Sequence, residues 1–210
     1  MPAPARQASI YLLNAADPGA ADLAPYLAWL SAGETERYQR FVRRERQRQF
    51  LLGRILLRQA LSPLLQIPAG KLSLTEQSGR APRLDGWPDI GFSISHSGAW
   101  LACAVSATTG LGLDIERLNP ARDFHALAQH AFDADEIAWL QARPAASLAA
   151  DFYRLWSSKE ARFKVGAPGA HCLQLPHPEL AIALCSAQPL AQTPSLLRTS
   201  LSPEPVPNPG

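Results

Sequence analysis

Residues 71–118, "KLSLTEQSGRAPRLDGWPDIGFSISHSGAWLACAVSATTGLGLDIERL", decide the fold class. Short apolar, β-rich runs are cut by clusters of Gly, Pro, Ser and Asp, which is the texture of strands and turns. "WLACAVS" and "LGLDIE" are separated by "ATTG", a four-residue link ending in Gly110 that predicts a hairpin between them. Helical patterns flank this block on both sides. Upstream, "SIYLLNAA" reads as a first strand, and Ser31 with Glu34 forms a capping-box pattern that starts a helix through "ETERYQRFV". A longer helix follows from about residue 44 to 65, with Phe50, Leu51, Ile55, Leu57 and Leu61 at near-helical spacing and Pro63 positioned to end or kink it. Downstream, residues 123–142 and 149–165 return to helix, and "HCLQL" and "LAIALCSA" read as two last strands. Residues 188–210, rich in Pro, Ser and Thr, read as a mobile tail. Strands set between helical blocks make the class α+β.

The 210 residues are 47% hydrophobic, enough to build a sizeable core, and no apolar run approaches the ~20 residues of a membrane span. The N-terminal stretch lacks the apolar core of a signal peptide, so a cytoplasmic, membrane-free protein is expected. Cys103, Cys172 and Cys185 are odd in number and widely spaced, without metal-ligand spacing, and read as buried or incidental thiols. A net charge of +2 does not argue for nucleic acid, but eight arginines crowd positions 37–58. That crowd suits a local anion site or a basic docking face.

Three windows could carry chemistry. In "LGLDIERL", Asp114 and Glu116 share one face of a strand while Leu113 and Ile115 take the other. Two carboxylates side by side suit a hard cation, or else mark a charged, exposed strand edge. In "SISHSG", residues 93–98, hydroxyls, an imidazole and turn amides could hold a phosphate oxygen, or His96 could be a bystander in a serine-rich turn. In "FYRLWSSKEARFKVGA", residues 152–167, Glu160 and Lys164 lie one helical turn apart, which fits either a solvated ion pair or a reactive face. Neither a glycine-rich phosphate loop nor a GxSxG elbow is present.

Taken together and in order, "FSISHSGAWLACAVS", "LGLDIERL" and "FYRLWSSKEARFK" resemble the three motifs of the two-lobed, Sfp-type 4'-phosphopantetheinyl transferases. The resemblance runs from about residue 31 to 167. It implies a pseudo-two-fold pair of lobes, each a small antiparallel sheet on a long helix, with residues 1–108 forming the first lobe, 109–187 a trimmed second lobe and 188–210 the tail. It further implies transfer of the phosphopantetheine arm of coenzyme A to a serine of an acyl or peptidyl carrier protein, a holo-[acyl-carrier-protein] synthase reaction carried out by a monomer. On that pattern Asp114, Glu116 and Glu160 would gather Mg²⁺, Glu116 through water. Glu160 would act as base, and Lys164 would stabilise or protonate the leaving adenosine 3',5'-bisphosphate. Ser95, His96, Arg37 and Arg80 would contact the coenzyme A phosphates. A homologue that binds coenzyme A or a carrier without transferring anything is the alternative.

Overall fold

The computed structural model describes residues 5–17, 22–77 and 81–201. In chain order its strands are β1 (Ser9–Asn14), β2 (Leu74–Thr75), β3 (Arg83–Leu84), β4 (Gly91–Ser97), β5 (Trp100–Ser106), β6 (Leu111–Arg117), β7 (His171–Leu175), β8 (Leu180–Ser186) and β9 (Ser195–Arg198). Its α-helices are α1 (Ala32–Arg40), α2 (Arg44–Leu65), α3 (Phe124–Ala131), α4 (Ala134–Gln141) and α5 (Ala145–Val165). The class is α+β and two-lobed. One sheet has the order β4-β5-β1-β9, a second the order β6-β8-β7, and β2 and β3 form a small ribbon. None of the helices among the described residues is long and apolar enough to cross a membrane.

Period-two patterning explains how the sheets share cores. On β1 and β5, Leu13, Leu101, Cys103 and Val105 face α2, whose Leu51, Leu52, Ile55, Leu56 and Leu61 fill the first core. The intervening Ile10, Leu12, Trp100, Ala102 and Ala104 face the opposite way and meet Leu113, Ile115, Ile182 and Leu184 of the second sheet. β5 is therefore buried on both faces. α1 begins as its sequence predicts: Ser31 Oγ accepts from the Glu34 amide, and the Ser31 amide donates to Glu34 Oε2 at 2.9 Å.

Three expectations are corrected. β5 and β6 do not form a hairpin, because both edges of β5 are already taken, by β4 and β1. The hairpin is β4–β5, with Ser97 opposite Trp100 and Gly98 in the left-handed region at φ 58°. The segment read as a tail includes β9, which pairs in parallel with β1, and Leu201, which is buried in the first core. Cys172 and Cys185, read as unpaired thiols, stand directly opposite each other on β7 and β8 and form a disulfide, leaving Cys103 buried and free.

α5 lies across β6 at unusually short range. A Cβ on Gly112 would fall 2.0 Å from the Ala161 carbonyl oxygen and 2.5 Å from the Val165 amide. Gly112→Ala must push α5 outward. It is expected to destabilise the protein by about 1–3 kcal/mol, seen as a lower Tm, whereas an unchanged Tm would mean that the helix moves freely on this strand.

Candidate active site

The last two turns of α5, the edge strand β6 and the serine-bearing face of β4 meet beside Gly112. On β6 the alternation that places Gly112 against the helix carries Asp114 and Glu116 along the same face. Asp114 is 4% exposed. Its Oδ1 accepts from Lys164 Nζ at 2.7 Å and from Ser95 Oγ at 2.9 Å, and its Oδ2 is buried without a hydrogen-bond partner. Burial pushes the Asp114 carboxyl above its ordinary range, against the pull of Lys164 and the two hydrogen bonds, and Glu116 adds to the rise. Glu116 accepts from Ser97 Oγ at 2.7 Å and from Trp156 Nε1 at 3.2 Å.

The charges of α5 are not paired as helical spacing alone suggests. Lys164 reaches across to β6 and β4, donating to Asp114, to the Leu113 carbonyl at 3.1 Å and to Ser95 Oγ at 3.2 Å. All three ammonium protons are thus engaged. Lys159 pairs with Glu136 of α4. Glu160, half-buried between them, makes no hydrogen bond or ion pair among the described residues. Asp114, Glu116 and Glu160 do not converge as the expected ready-made triad: no three such ligands among the described residues stand close enough to hold an ion. The reason is that Lys164 occupies one oxygen of Asp114, and Ser97 and Trp156 hold Glu116. Asp114 Oδ2 and the Glu160 carboxylate remain as uncommitted hard oxygen donors, a set that suits Mg²⁺.

Lys164 also lines a cleft of about 1040 Å³ running between α5 and the first lobe, with Arg37, Arg54, Phe92, Ile94 and Phe163 on its walls. A hollow of about 280 Å³ continues it past Arg37, Arg46, Phe50 and His96. His96 keeps an exposed face there. Partial desolvation, then Arg46 and Lys164, hold its pKa below the ordinary histidine value, so the ring is neutral near pH 7 in the free protein. Ser95 departs from its expected place at a phosphate. It is 5% exposed, its one proton goes to Asp114, and its two lone pairs take Lys164 and the Ile115 amide. That exhausts a hydroxyl. Arg80 lies outside the described residues.

The arginine crowd proves to be divided. Arg58, 1% exposed, donates to both oxygens of Glu34 and to the Leu72 carbonyl. Arg54 lies between Glu34, at 3.1 Å, and Glu76, and Arg37 Nη1 reaches Glu76 Oε2 at 2.6 Å. Arg54 and Arg37 both lie over the Phe50 ring, at 4.7 and 5.5 Å. Glu76 was not read from the sequence, and Arg46 and Arg54 were read only as members of the arginine crowd. The available signal was the position of Arg54 and Arg58 within the apolar stripe of α2, where a cation requires a buried partner.

A carboxylate pair, a lysine bridging to it and a cationic cleft alongside match the order of the three sequence motifs, and comparison with known proteins decides the family. A model of the 4'-phosphopantetheinyl transferase superfamily matches residues 110–200, and one of the 4'-phosphopantetheinyl transferase N-terminal region matches residues 15–108. A 4'-phosphopantetheinyl transferase of Bacillus subtilis is 32% identical over 158 residues, covering 75% of this chain and 68% of the relative. The chain belongs to the 4'-phosphopantetheinyl transferase superfamily. HetI of Nostoc sp. is 34% identical over 165 residues, 77% of this chain and 68% of its own. AcpT of Salmonella typhimurium is 32% identical over 171 residues, 74% of this chain and 85% of its own. The phosphopantetheinyl transferase fold here thus packs β4, β6 and α5, the three motif-bearing elements, against one another.

Proposed function

We propose that the protein transfers the 4'-phosphopantetheine group of coenzyme A to a serine of an acyl or peptidyl carrier protein, releasing adenosine 3',5'-bisphosphate. The observation that carries this reading is the buried, partnerless Oδ2 of Asp114, whose other oxygen holds Lys164, a residue that lines the cationic cleft. A protein that only held coenzyme A or a carrier would have no use for a desolvated carboxylate oxygen aimed at nothing. Mg²⁺, when bound, would neutralise charge that grows on the diphosphate as its bond breaks. Asp114 and Glu160 would hold it, with Glu116 acting through water.

The chain's own groups do the rest. Arg37 and His96 bind the nucleotide phosphates in the cleft, the guanidinium as a fork and the imidazole as a proton-gaining partner. Glu160, free of any ion pair, takes the proton of the carrier serine as its oxygen attacks the phosphorus that bears the pantetheine arm. Lys164 turns from Asp114 to the leaving bisphosphate oxygen. The protein acts as a monomer in the cytoplasm.

Chromatography tests the reaction: adenosine 3',5'-bisphosphate should form only when coenzyme A and an apo carrier protein are both present. Release without a carrier would indicate hydrolysis instead. His96 gives a pH signature. Because its pKa is lowered in the free protein and an anion would raise it, binding of adenosine 3',5'-bisphosphate takes up a proton. Affinity should therefore rise as pH falls below the ordinary histidine value of about 6.5. His96→Gln should flatten that rise in a calorimetric titration, and an identical pH profile in the variant would remove His96 from the anion site.

A further inference from the structure

β4 and β6 lie edge to edge, yet no backbone ladder joins their two sheets. Serine hydroxyls supply the acceptors instead. Ser93, Ser95 and Ser97, alternating on β4, accept from the amides of Leu113 at 2.9 Å, Ile115 at 3.2 Å and Arg117 at 2.9 Å. Each serine therefore meets β6 at the same register, two residues further along. At two of the three rungs the hydroxyl does a second thing: it gives its own proton to the carboxylate of the preceding β6 residue. Ser95 donates to Asp114 Oδ1 and Ser97 to Glu116 Oε2. At the first rung the preceding residue is Gly112, which has no side chain to receive one, and the Ser93 proton makes no hydrogen bond among the described residues.

The geometry points to Ser95 and Ser97 as positioning residues that fix Asp114 and Glu116 for their cation, a role distinct from contacting coenzyme A and one in which Ser97 has as large a part as Ser95. The inference rests on the proposed metal-holding role of those carboxylates. An aspartate carboxylate can rotate about two side-chain bonds and a glutamate carboxylate about three. A donor on one oxygen, fixed in turn because its lone pair is held by a backbone amide one residue along, removes that freedom and leaves the other oxygen in a set direction. For Asp114 the freed oxygen is the partnerless Oδ2. For Glu116 the Ser97 bond holds Oε2 while Trp156 holds Oε1, so each oxygen keeps one lone pair and the plane is fixed. The same bonds relieve part of the repulsion between two carboxylates on one strand face. Alternating serines on β4 are what this requires, since the residues between them point to the opposite face.

The structure supplies its own control. Ser93→Ala, Ser95→Ala and Ser97→Ala each remove one acceptor between the sheets, but only the last two remove a donor to a carboxylate. The test is a titration of the full-length protein with Mn²⁺ in the presence of coenzyme A, followed by electron paramagnetic resonance, alongside Tm. Ser95→Ala and Ser97→Ala should weaken Mn²⁺ binding by about 10–100-fold, the usual range for loss of a ligand's hydrogen-bond partner. Ser93→Ala should lower Tm with them but hold Mn²⁺ within about twofold, and Ser97→Thr, which keeps the hydroxyl, should restore it. Equal weakening by all three, or no change in any, would show the serines to be stitches between the sheets and nothing more. If the unaltered protein bound no Mn²⁺ at all, the metal-holding reading of Asp114 and Glu116 would fall, and this inference with it.

Discussion

Asp114→Asn should lower the transfer rate by about 10²–10³-fold with little change in Tm, the size of effect seen when one preorganised electrostatic group is lost from a site. The amide is nearly isosteric. Its oxygen can still accept from Ser95 and Lys164, the two donors that Oδ1 holds now at 2.9 and 2.7 Å, so the junction of β4, β6 and α5 survives. What disappears is the negative charge and the uncommitted Oδ2, replaced by an amide that repels a cation. Lys164 also loses the charge that seats it at the end of the cleft. Near-normal turnover by this variant, checked on an apo carrier with saturating coenzyme A, would remove Asp114 from the chemistry and leave it as a buried structural acid.

The largest effect on stability is expected at Glu34. Its side chain is fully buried, closes the capping box of α1 and accepts from Arg58, with Arg54 at ion-pair distance. Glu34→Ala leaves Arg58 buried without its countercharge, a change worth about 3–5 kcal/mol, to which the lost cap adds about 1 kcal/mol. A chain of this length should lose on the order of 10 °C or more in Tm. The loss belongs to the orphaned cation more than to the absent bond. Glu34→Leu combined with Arg58→Met should therefore be more stable than Glu34→Ala alone, because it removes both charges and fills the space. If the double variant were the less stable, the pair would be a net stabiliser in its own right.

Elements whose signals are local were legible in the sequence. α2 spans Arg44–Leu65 as its apolar spacing indicates, and Pro63 is accommodated in the last turn, just before the left-handed Gln66 closes the helix. The capping box of α1 forms as read. Partners across the sheets were not legible. "LACAV" is apolar on both faces, which says that β5 is buried but not which strands flank it, so the Gly110 link passed for a hairpin turn. β9 was missed because "SLLR" is short and set among Pro and Ser, and only the parallel pairing with β1 orders it. The disulfide depends on the register of β7 against β8, which no spacing of the cysteines reveals.

Within the candidate site, the motifs named Asp114, Glu116, Glu160, Lys164 and His96, and the fold brings β4, β6 and α5 together around them. The bonds those residues make could not be read. Helical spacing offered Glu160 as the partner of Lys164, whereas the long lysine side chain crosses to another element and reaches Asp114. Resemblance placed Ser95 at a phosphate, but a saturated hydroxyl is visible only once its three neighbours are known. Arg54 and Arg58 were read only as members of a basic crowd, because nothing in the sequence announces that Glu34, twenty or more residues earlier, will be buried beneath them.

Transfer of phosphopantetheine at this cleft is read out by intact-mass spectrometry of an apo carrier protein incubated with the enzyme and coenzyme A. The carrier should gain the mass of one phosphopantetheinyl group at its serine, excess EDTA should prevent the gain, and Asp114→Asn should slow it severely. An unmodified carrier across fatty acid, polyketide and peptide types, with coenzyme A shown to bind the same preparation, would contradict it.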